Sequence, residues 1–149
     1  GNCIVDPNGK FVFIDNGAIC HAPKKVAHAL FHFFDHLSRQ EMQQAFDALL
    51  AMTEVNPTPK KLAKYYSTMT EIYTDFEKKP VGEQSLTRIM MKTVKAAVEH
   101  AGAIFGEEAF PIIRALMYLD GLVIRTHPDA LLIQSMGPFL EEFQTKLNI

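Results

Sequence analysis

Apolar side chains recur at steps of three and four along most of this sequence, and that period constrains the fold more than any other feature. From Pro23 onwards it predicts a succession of helices that are separated by turn and proline-containing segments. The predicted helices run from Pro23 to Leu37, from Ser38, from Thr58 to about Phe76, from Ser85 to about Phe105, from about Glu107 to Arg125, and from beyond Asp129 to the end. The sequence therefore predicts a mainly α fold of about six helices.

Two of these helices carry further expectations. Ser38 followed by Glu41 has the spacing of a capping box, which predicts that the second helix starts at Ser38. The fifth helix is apolar nearly all round, as is typical of a helix that is buried on every side. We therefore expect the fifth helix to form the centre of the core.

A β-hairpin is predicted before the helices, over residues 3–15. Two short runs of β-branched and aromatic residues flank Asp6, Pro7, Asn8 and Gly9. Proline presets one backbone angle of a turn and Asn-Gly tolerates positive φ, so the loop agrees with the strands on either side. The register of the two strands should therefore be well fixed.

The composition is that of one globular domain rather than of a disordered or fibrous chain. The 149 residues are 48% apolar and 21% charged, with a net charge of −2. Because a chain without a positive field is not drawn to nucleic acid, we expect no nucleic-acid partner. The longest apolar stretch, residues 109–124, is interrupted by charged residues and falls short of the ~20 residues of a bilayer span. We expect a cytoplasmic protein, free or peripheral to a membrane, with Cys3 and Cys20 as free thiols.

The outer ends of the hairpin carry the residues with the clearest chemistry. Asn2 precedes the first strand and Asp15 follows the second, and a hairpin brings its outer ends together. Amide and carboxylate oxygens are hard ligands of the kind that holds Mg²⁺ beside substrate phosphates. The pattern favours a magnesium site at Asn2 and Asp15, although both also lie in common turn sequences, so a purely structural role stays open.

The hairpin and its flanks resemble a segment of the UbiB/ADCK (AarF-type) atypical kinases, a family linked to ubiquinone biosynthesis. The likeness rests on residues 1–6 and 9–17, which read Gly-Asn, strand, turn, strand and Ile-Asp-Asn-Gly where the family has Ile-Asp-Phe-Gly. Residues 110–121 and 127–129 are similar to the family's late apolar helix, in which a Leu-Glu-Gly-like step leads to a proline-containing loop. The resemblance covers the chain from end to end, with the middle helices matching only in kind.

The resemblance implies a protein-kinase-like C-lobe fragment, mainly α, with one N-terminal hairpin. Residues 1–17 would form a metal-binding hairpin segment and residues 23–149 a helical region, together one domain of a larger protein. That protein would bind ATP and Mg²⁺ for phosphoryl transfer or ATP hydrolysis. The chief partner of this chain would be the missing N-terminal lobe, beside lipid or quinone-pathway partners.

The family's site residues carry over at three positions of this sequence. Asn2 matches the catalytic-loop Asn, a metal ligand, and Asp15 matches the metal-binding Asp of the Asp-Phe-Gly turn. Gly17 matches the Gly of that turn and would belong to the cofactor site. Asn16 stands where the family has Phe, and no residue of the sequence matches the catalytic Asp or the nucleotide-lobe Lys. We therefore expect no catalytic residue here and no activity of this chain alone.

Three histidines recur every fourth residue on the first predicted helix, at His28, His32 and His36. An i, i+4 pair can hold a transition metal, but three rings over two turns converge poorly on one ion. The Glu that lies between the histidines of helix metalloproteases is also missing. We therefore interpret them as a polar edge that faces solvent or a partner.

Aromatic and methionine side chains admit two interpretations. Tyr65, Tyr66 and Tyr73 form a stripe at helical spacing, which we assign to the core. Methionine suits an adaptable apolar groove as well as ordinary core, and the residues concerned are Met90, Met91, Met117 and Met136. The competing function is therefore a non-catalytic helical domain whose apolar faces bind a partner helix or a lipid surface.

Overall fold

The computed structural model describes residues 3–14, 21–54 and 57–147. Over these ranges the chain has six α-helices and one two-stranded antiparallel sheet, which confirms the predicted mainly α class. The elements are β1 (Cys3–Val5), β2 (Phe11–Phe13), α1 (Lys24–Ser38), α2 (Met42–Ala51), α3 (Pro59–Ile72), α4 (Leu86–Ala96), α5 (Ala109–Thr126) and α6 (Leu132–Leu147). Two 3-10 turns, Phe76–Lys78 and Val81–Glu83, lie between α3 and α4, and a π-helical turn, Ala97–Ala101, continues α4.

The hairpin forms as predicted, with Cys3 opposite Phe13 at its open end and Val5 opposite Phe11 at the turn. Asp6 organises the turn, since its Oδ1 accepts hydrogen bonds from the backbone N–H groups of Asn8 and Lys10, both at 2.8 Å. Gly9 adopts a φ of +80°, which residues with a Cβ adopt rarely. These local bonds fix the register of β1 and β2.

The core lies among α1, α2, α3 and the π-helical turn. Tyr65 and Met69 of α3 are completely buried, and Phe46 of α2 is nearly so. The π-helical turn faces α3 with two small residues, Ala97 and Ala101, that are buried as well. Small side chains at this contact let the backbones of the two helical segments approach closely.

The second helix does not begin where the capping-box pattern predicted. Ser38 belongs to the last turn of α1, and its hydroxyl donates to the carbonyl of Asp35 at 2.7 Å. Ser and Thr hydroxyls often bond back to a preceding carbonyl, so the same residue type serves a helix end as readily as a start. Gln40 then takes a φ of +60°, and α2 begins at Met42 without a side-chain cap.

The fourth helix is shorter than predicted. Ser85, the predicted start, is its N-cap, because its Oγ accepts from the backbone N–H of Arg88 at 3.1 Å. The helix then widens into the π-helical turn and ends at Gly102, whose φ of +70° reverses the chain. Phe105 therefore lies after the helix, in a segment without regular secondary structure.

The prediction that the fifth helix is the centre of the core is wrong. Asp120 is the one buried residue along α5, whereas Phe110 is 81% and Tyr118 is 72% exposed. The buried core cluster consists of side chains from other elements, chiefly α1 to α3 and the π-helical turn, whereas α5 contacts α4 and the 3-10 turn Val81–Glu83. A helix that is apolar around most of its circumference, as α5 is, therefore does not have to be buried on every side.

None of the helices in the described ranges combines the length and the apolar character needed to cross a bilayer.

Candidate functional site

The predicted metal and cofactor residues lie outside the described residues. This holds for Asn2, Asp15 and Gly17, as well as for Asn16. What the structure describes is the scaffold between them, namely the strand that follows Asn2 and the strand that precedes Asp15. Cys3 and Phe13 face each other at the open end of that scaffold.

The hairpin exposes apolar side chains on both of its faces. The exposed fractions range from 39% at Val12 to 63% at Phe13. The other members of this apolar hairpin surface are Ile4, Val5, Phe11 and Ile14. A two-stranded hairpin has little stability of its own, and clustered exposed apolar residues mark surfaces that contact something else.

The histidine edge of α1, predicted to face solvent or a partner, is exposed at one position and half-buried at the other two. His28 is exposed, and the rings of His32 and His36 stack with centroids 6.0 Å apart. His36 Nδ1 lies 2.6 Å from Glu41 Oε2, so this ring is engaged by a carboxylate. Among the described residues, no three His, Cys, Asp or Glu side chains are placed to hold a metal ion.

The tyrosine stripe belongs to the core at two of its three positions. Tyr65 is buried and its hydroxyl donates to the carbonyl of Phe46 at 3.0 Å, and burial raises the pKa of that phenol well above its usual range. Tyr73 is also buried, and burial raises its pKa to about 12. Tyr66 is half-buried and donates to Asp47, with desolvation and then that carboxylate raising its pKa to about 12.

A cavity of about 270 Å³ lies between α1, α4, α5 and α6. Its wall is mostly apolar, and it includes Val26 and Phe34 of α1, Met90 of α4 and Met136 of α6. Met91 and Met117, by contrast, are exposed. Two of the four methionines thus line an apolar space, so the groove interpretation holds for part of the set.

Asp120 is the charged side chain that α5 brings to this cavity. It is only 5% exposed, and its Oδ2 accepts from both the backbone N–H and the hydroxyl of Thr87, at 3.0 and 2.8 Å. Thr87 lies in the first turn of α4, where unpaired N–H groups favour a negative charge. Asp120 therefore ties α5 to the start of α4.

The second carboxylate oxygen of Asp120 differs from the first in its hydrogen bonding. Oδ1 is buried and has no hydrogen-bond partner within the described ranges. A buried acceptor without a donor costs free energy, so such atoms are uncommon in folded proteins. The sequence contains one signal of this site, a single carboxylate within a long apolar helix, which supported only the family resemblance and the expectation of no bilayer span.

Compared with protein-family models, with curated proteins and with solved structures, the chain has no significant match.

Proposed function

We propose that this chain is the C-terminal lobe fragment of an atypical kinase or ATPase that resembles the UbiB/ADCK family. The observation that carries the proposal is the register of the hairpin. Because Cys3 pairs with Phe13, the strand ends that continue to Asn2 and to Asp15 lie side by side. Strand ends that lie side by side can bring an amide and a carboxylate to one divalent cation, and such oxygens are the ligands that Mg²⁺ takes.

The proposed chemistry is that of a metal-assisted nucleotide site. Asn2 and Asp15 would hold Mg²⁺ through their side-chain oxygens, and Gly17 would let the backbone turn after the second ligand. The ion would neutralise the phosphates of ATP. Phosphoryl transfer further needs a base and a phosphate-binding Lys, and neither matches a residue of this sequence. The chain alone is therefore expected to bind the metal and ATP but not to catalyse phosphoryl transfer.

The apolar hairpin surface supports the proposed partner, the N-terminal lobe of the same kinase-like domain. All six of its members are at least 39% exposed although they are β-branched, aromatic or aliphatic. In a larger domain such a surface would be covered by neighbouring chain. Covering it would also supply the stability that a two-stranded hairpin lacks.

A binding experiment with matched variants tests the proposal. We would titrate Mn²⁺, with and without ATP, against the wild type, Asp15→Ala and Asp129→Ala, and follow free Mn²⁺ by electron paramagnetic resonance. Asp129 is an exposed carboxylate in the loop before α6, so its variant controls for the loss of one charge. We expect Asp15→Ala to bind at least about tenfold more weakly, a loss typical of removing one charged ligand, and Asp129→Ala to match the wild type. Equal binding by all three proteins would contradict the proposal.

The alternative, a non-catalytic interaction domain, is favoured by one specific observation. The outer sides of α5 and α6 carry exposed aromatic residues: Phe110 (81%), Tyr118 (72%), Phe139 (69%) and Phe143 (57%). Such a surface suits a partner helix or the interface of a membrane. Co-sedimentation with phosphatidylcholine vesicles that is lost in Phe110→Ser and Phe139→Ser, together with Mn²⁺ binding that is independent of Asp15, would favour it over the kinase lobe.

A further inference from the structure

We propose that the cavity between α1, α4, α5 and α6 binds a neutral, hydrocarbon-like molecule of on the order of ten heavy atoms, which the wall recognises by apolar contact and not by a hydrogen bond. The inference does not depend on the proposed kinase-lobe function. The wall residues lie between positions 26 and 136, whereas the proposed metal residues belong to the hairpin segment at residues 1–17.

The size of the cavity selects a small molecule. An apolar protein cavity of about 150 Å³ holds one benzene ring, so a volume of about 270 Å³ corresponds to on the order of ten heavy atoms. One turn of a partner helix, about 10 Å across and 5.4 Å long, fills roughly 420 Å³. The space between these four helices therefore suits a compact ligand better than an inserted helix.

The wall surrounds this space with aliphatic and aromatic side chains. They come from all four helices, for example Leu30 of α1, Ile89 of α4, Leu116 of α5 and Ile133 of α6. A water molecule inside a protein needs about two to four polar partners, and apolar cavities hold apolar molecules in preference to water. The polar groups at the wall therefore decide whether a ligand needs a polar group of its own.

Two hydroxyl groups at the wall already have partners within the protein. Tyr73 Oη and Thr93 Oγ1 are 3.0 Å apart, and the Thr93 hydroxyl donates to the carbonyl of Ile89 at 2.9 Å. Because a threonine hydroxyl has one proton, Thr93 must accept from Tyr73. Neither hydroxyl requires a ligand.

The two acidic side chains at the wall do not call for a polar ligand either. Asp120 Oδ2 has both donors of Thr87, and Oδ1 of the same carboxylate is enclosed so tightly that a hydroxyl group inside the cavity does not reach it. Glu108 is only half-buried, so solvent hydrates this residue. Among the described residues, no Lys, Arg or His borders the cavity. An anionic ligand would therefore lose its hydration without gaining a partner.

Apolar contact is what the wall offers instead. Burial of the ligand's apolar surface would supply most of the binding free energy. A polar group on the ligand would weaken binding, because burying it without a hydrogen bond costs free energy. The cavity thus selects its ligand by size and by the absence of charge.

Equilibrium dialysis with three aromatic compounds tests the class of ligand. We expect the wild type to bind naphthalene at least about tenfold more tightly than 2-naphthoate, which has the same rings and a carboxylate. Phenanthrene has a further ring, so adsorption to open apolar surface would favour it over naphthalene at least about tenfold. A cavity of limited size removes this advantage, and we expect phenanthrene to bind no more tightly than naphthalene.

A matched pair of variants locates the bound naphthalene. Met90 and Met91 are neighbours in α4, but Met90 borders the cavity whereas Met91 is 52% exposed. An indole at position 90 takes up part of the space, so we expect Met90→Trp to weaken naphthalene binding at least about tenfold. The control, Met91→Trp, should change it by less than about twofold. Circular dichroism verifies that both variants are folded. If Met90→Trp unfolds, Met136→Trp replaces it, with Met117→Trp at an exposed position of α5 as its control.

Each of the following results would overturn the inference. Equal affinity for naphthalene and 2-naphthoate would show that the wall does not select a neutral molecule. Phenanthrene that binds at least about tenfold more tightly than naphthalene, or naphthalene binding that Met90→Trp leaves intact, would place the ligand on open surface. Absence of naphthalene binding up to its solubility limit would mean that the cavity takes no such ligand. Adsorption of the chain to phosphatidylcholine vesicles would then assign the apolar helices to a lipid surface instead.

Discussion

Asp120 joins two helices through one carboxylate oxygen. Oδ2 receives both donors of Thr87, so the start of α4 and the middle of α5 are tied at a point that is largely excluded from water. Hydrogen bonds to a charged and buried acceptor contribute more than those at the surface, because solvent competes less for the same atoms. This contact therefore helps to fix the position of α5, several of whose apolar side chains are exposed.

The variant Thr87→Val tests this contact. It keeps the shape of the side chain and the backbone bond, but it removes the hydroxyl bond to Oδ2. We expect the free energy of unfolding in urea to fall by about 1.5 kcal/mol, the lower end for a bond to a charged group, since Thr87 is only half-buried. Thr126→Val removes an exposed hydroxyl that bonds within its own helix, and a change within about 0.5 kcal/mol is expected for that control. Equal losses in the two variants would show that the Asp120 bond contributes nothing specific.

Tyr73 gives the fold a dependence on alkaline pH. Burial raises the pKa of this phenol from 10.0 to about 12, so the folded protein holds its proton where the unfolded chain releases it. The stabilisation is complete below pH 10 and is lost as the pH rises toward 12, at up to ~1.4 kcal/mol per pH unit. We expect urea midpoints measured between pH 9 and pH 11.5 to fall less steeply in Tyr73→Phe than in the wild type. Parallel curves for the two proteins would contradict this account.

At the scale of elements, the packing of α3 depends on small residues in the π-helical turn. Ala97 is completely buried, opposite a face of α3 that carries the buried Tyr65 and Met69. A widened helical turn brings its small side chains into a contact that a continuous α-helix would arrange differently. The sequence pattern did not reveal this, because a π-helical turn of five residues is too short to leave an apolar period of its own.

Ala97→Leu measures how closely these elements pack. A larger side chain in a filled contact forces neighbouring groups to move, and we expect it to destabilise the fold by about 1–3 kcal/mol. Val98→Leu, one residue along at a position that is 46% exposed, should change the free energy of unfolding by less than about 0.5 kcal/mol. A destabilisation of similar size in both variants, measured by urea denaturation, would mean that the contact is not close-packed.

The sequence predicted features that depend on neighbouring residues better than features that depend on residues distant along the chain. The hairpin and the start of α4 at Ser85 depend on neighbouring residues, and both were predicted correctly. The start of α2 was wrong because the Ser38 hydroxyl has an alternative acceptor one turn back. The predicted burial of α5 was wrong because burial depends on which helices pack against one another in the core. The apolar period of a single helix contains no information about that packing.

At the scale of the whole molecule, apolar surface remains uncovered in two regions. One is the apolar hairpin surface, and the other is the outer side of α5 and α6. The cavity could not have been predicted from the sequence, because its wall combines side chains of α1 with those of α4, α5 and α6, and α1 lies far from these three helices along the chain. The predicted metal residues Asn2 and Asp15, which lie outside the described residues, stay a prediction.

Uncovered surface of this kind predicts self-association of the chain. We expect sedimentation equilibrium to show an average mass that rises with protein concentration, because burying apolar side chains between copies is favourable. A variant that combines Phe13→Lys, Phe110→Lys and Phe139→Lys removes three residues that are 63%, 81% and 69% exposed, and it should be closer to monomeric. A wild type that stays monomeric up to its solubility limit would show that these surfaces do not drive association.

The most direct test of the proposed function is the broadening of backbone amide signals by bound Mn²⁺ in the ¹⁵N-labelled chain. The account predicts that Mn²⁺ strongly broadens signals at the open end of the hairpin, including those of Cys3 and Phe13, and that Asp15→Ala abolishes the effect. Gly9 should be broadened less, because it lies roughly 13 Å further along the hairpin at about 3.3 Å per residue. Broadening centred on the histidine edge of α1, or broadening that is the same in the wild type and in Asp15→Ala, would contradict a metal site at the hairpin end.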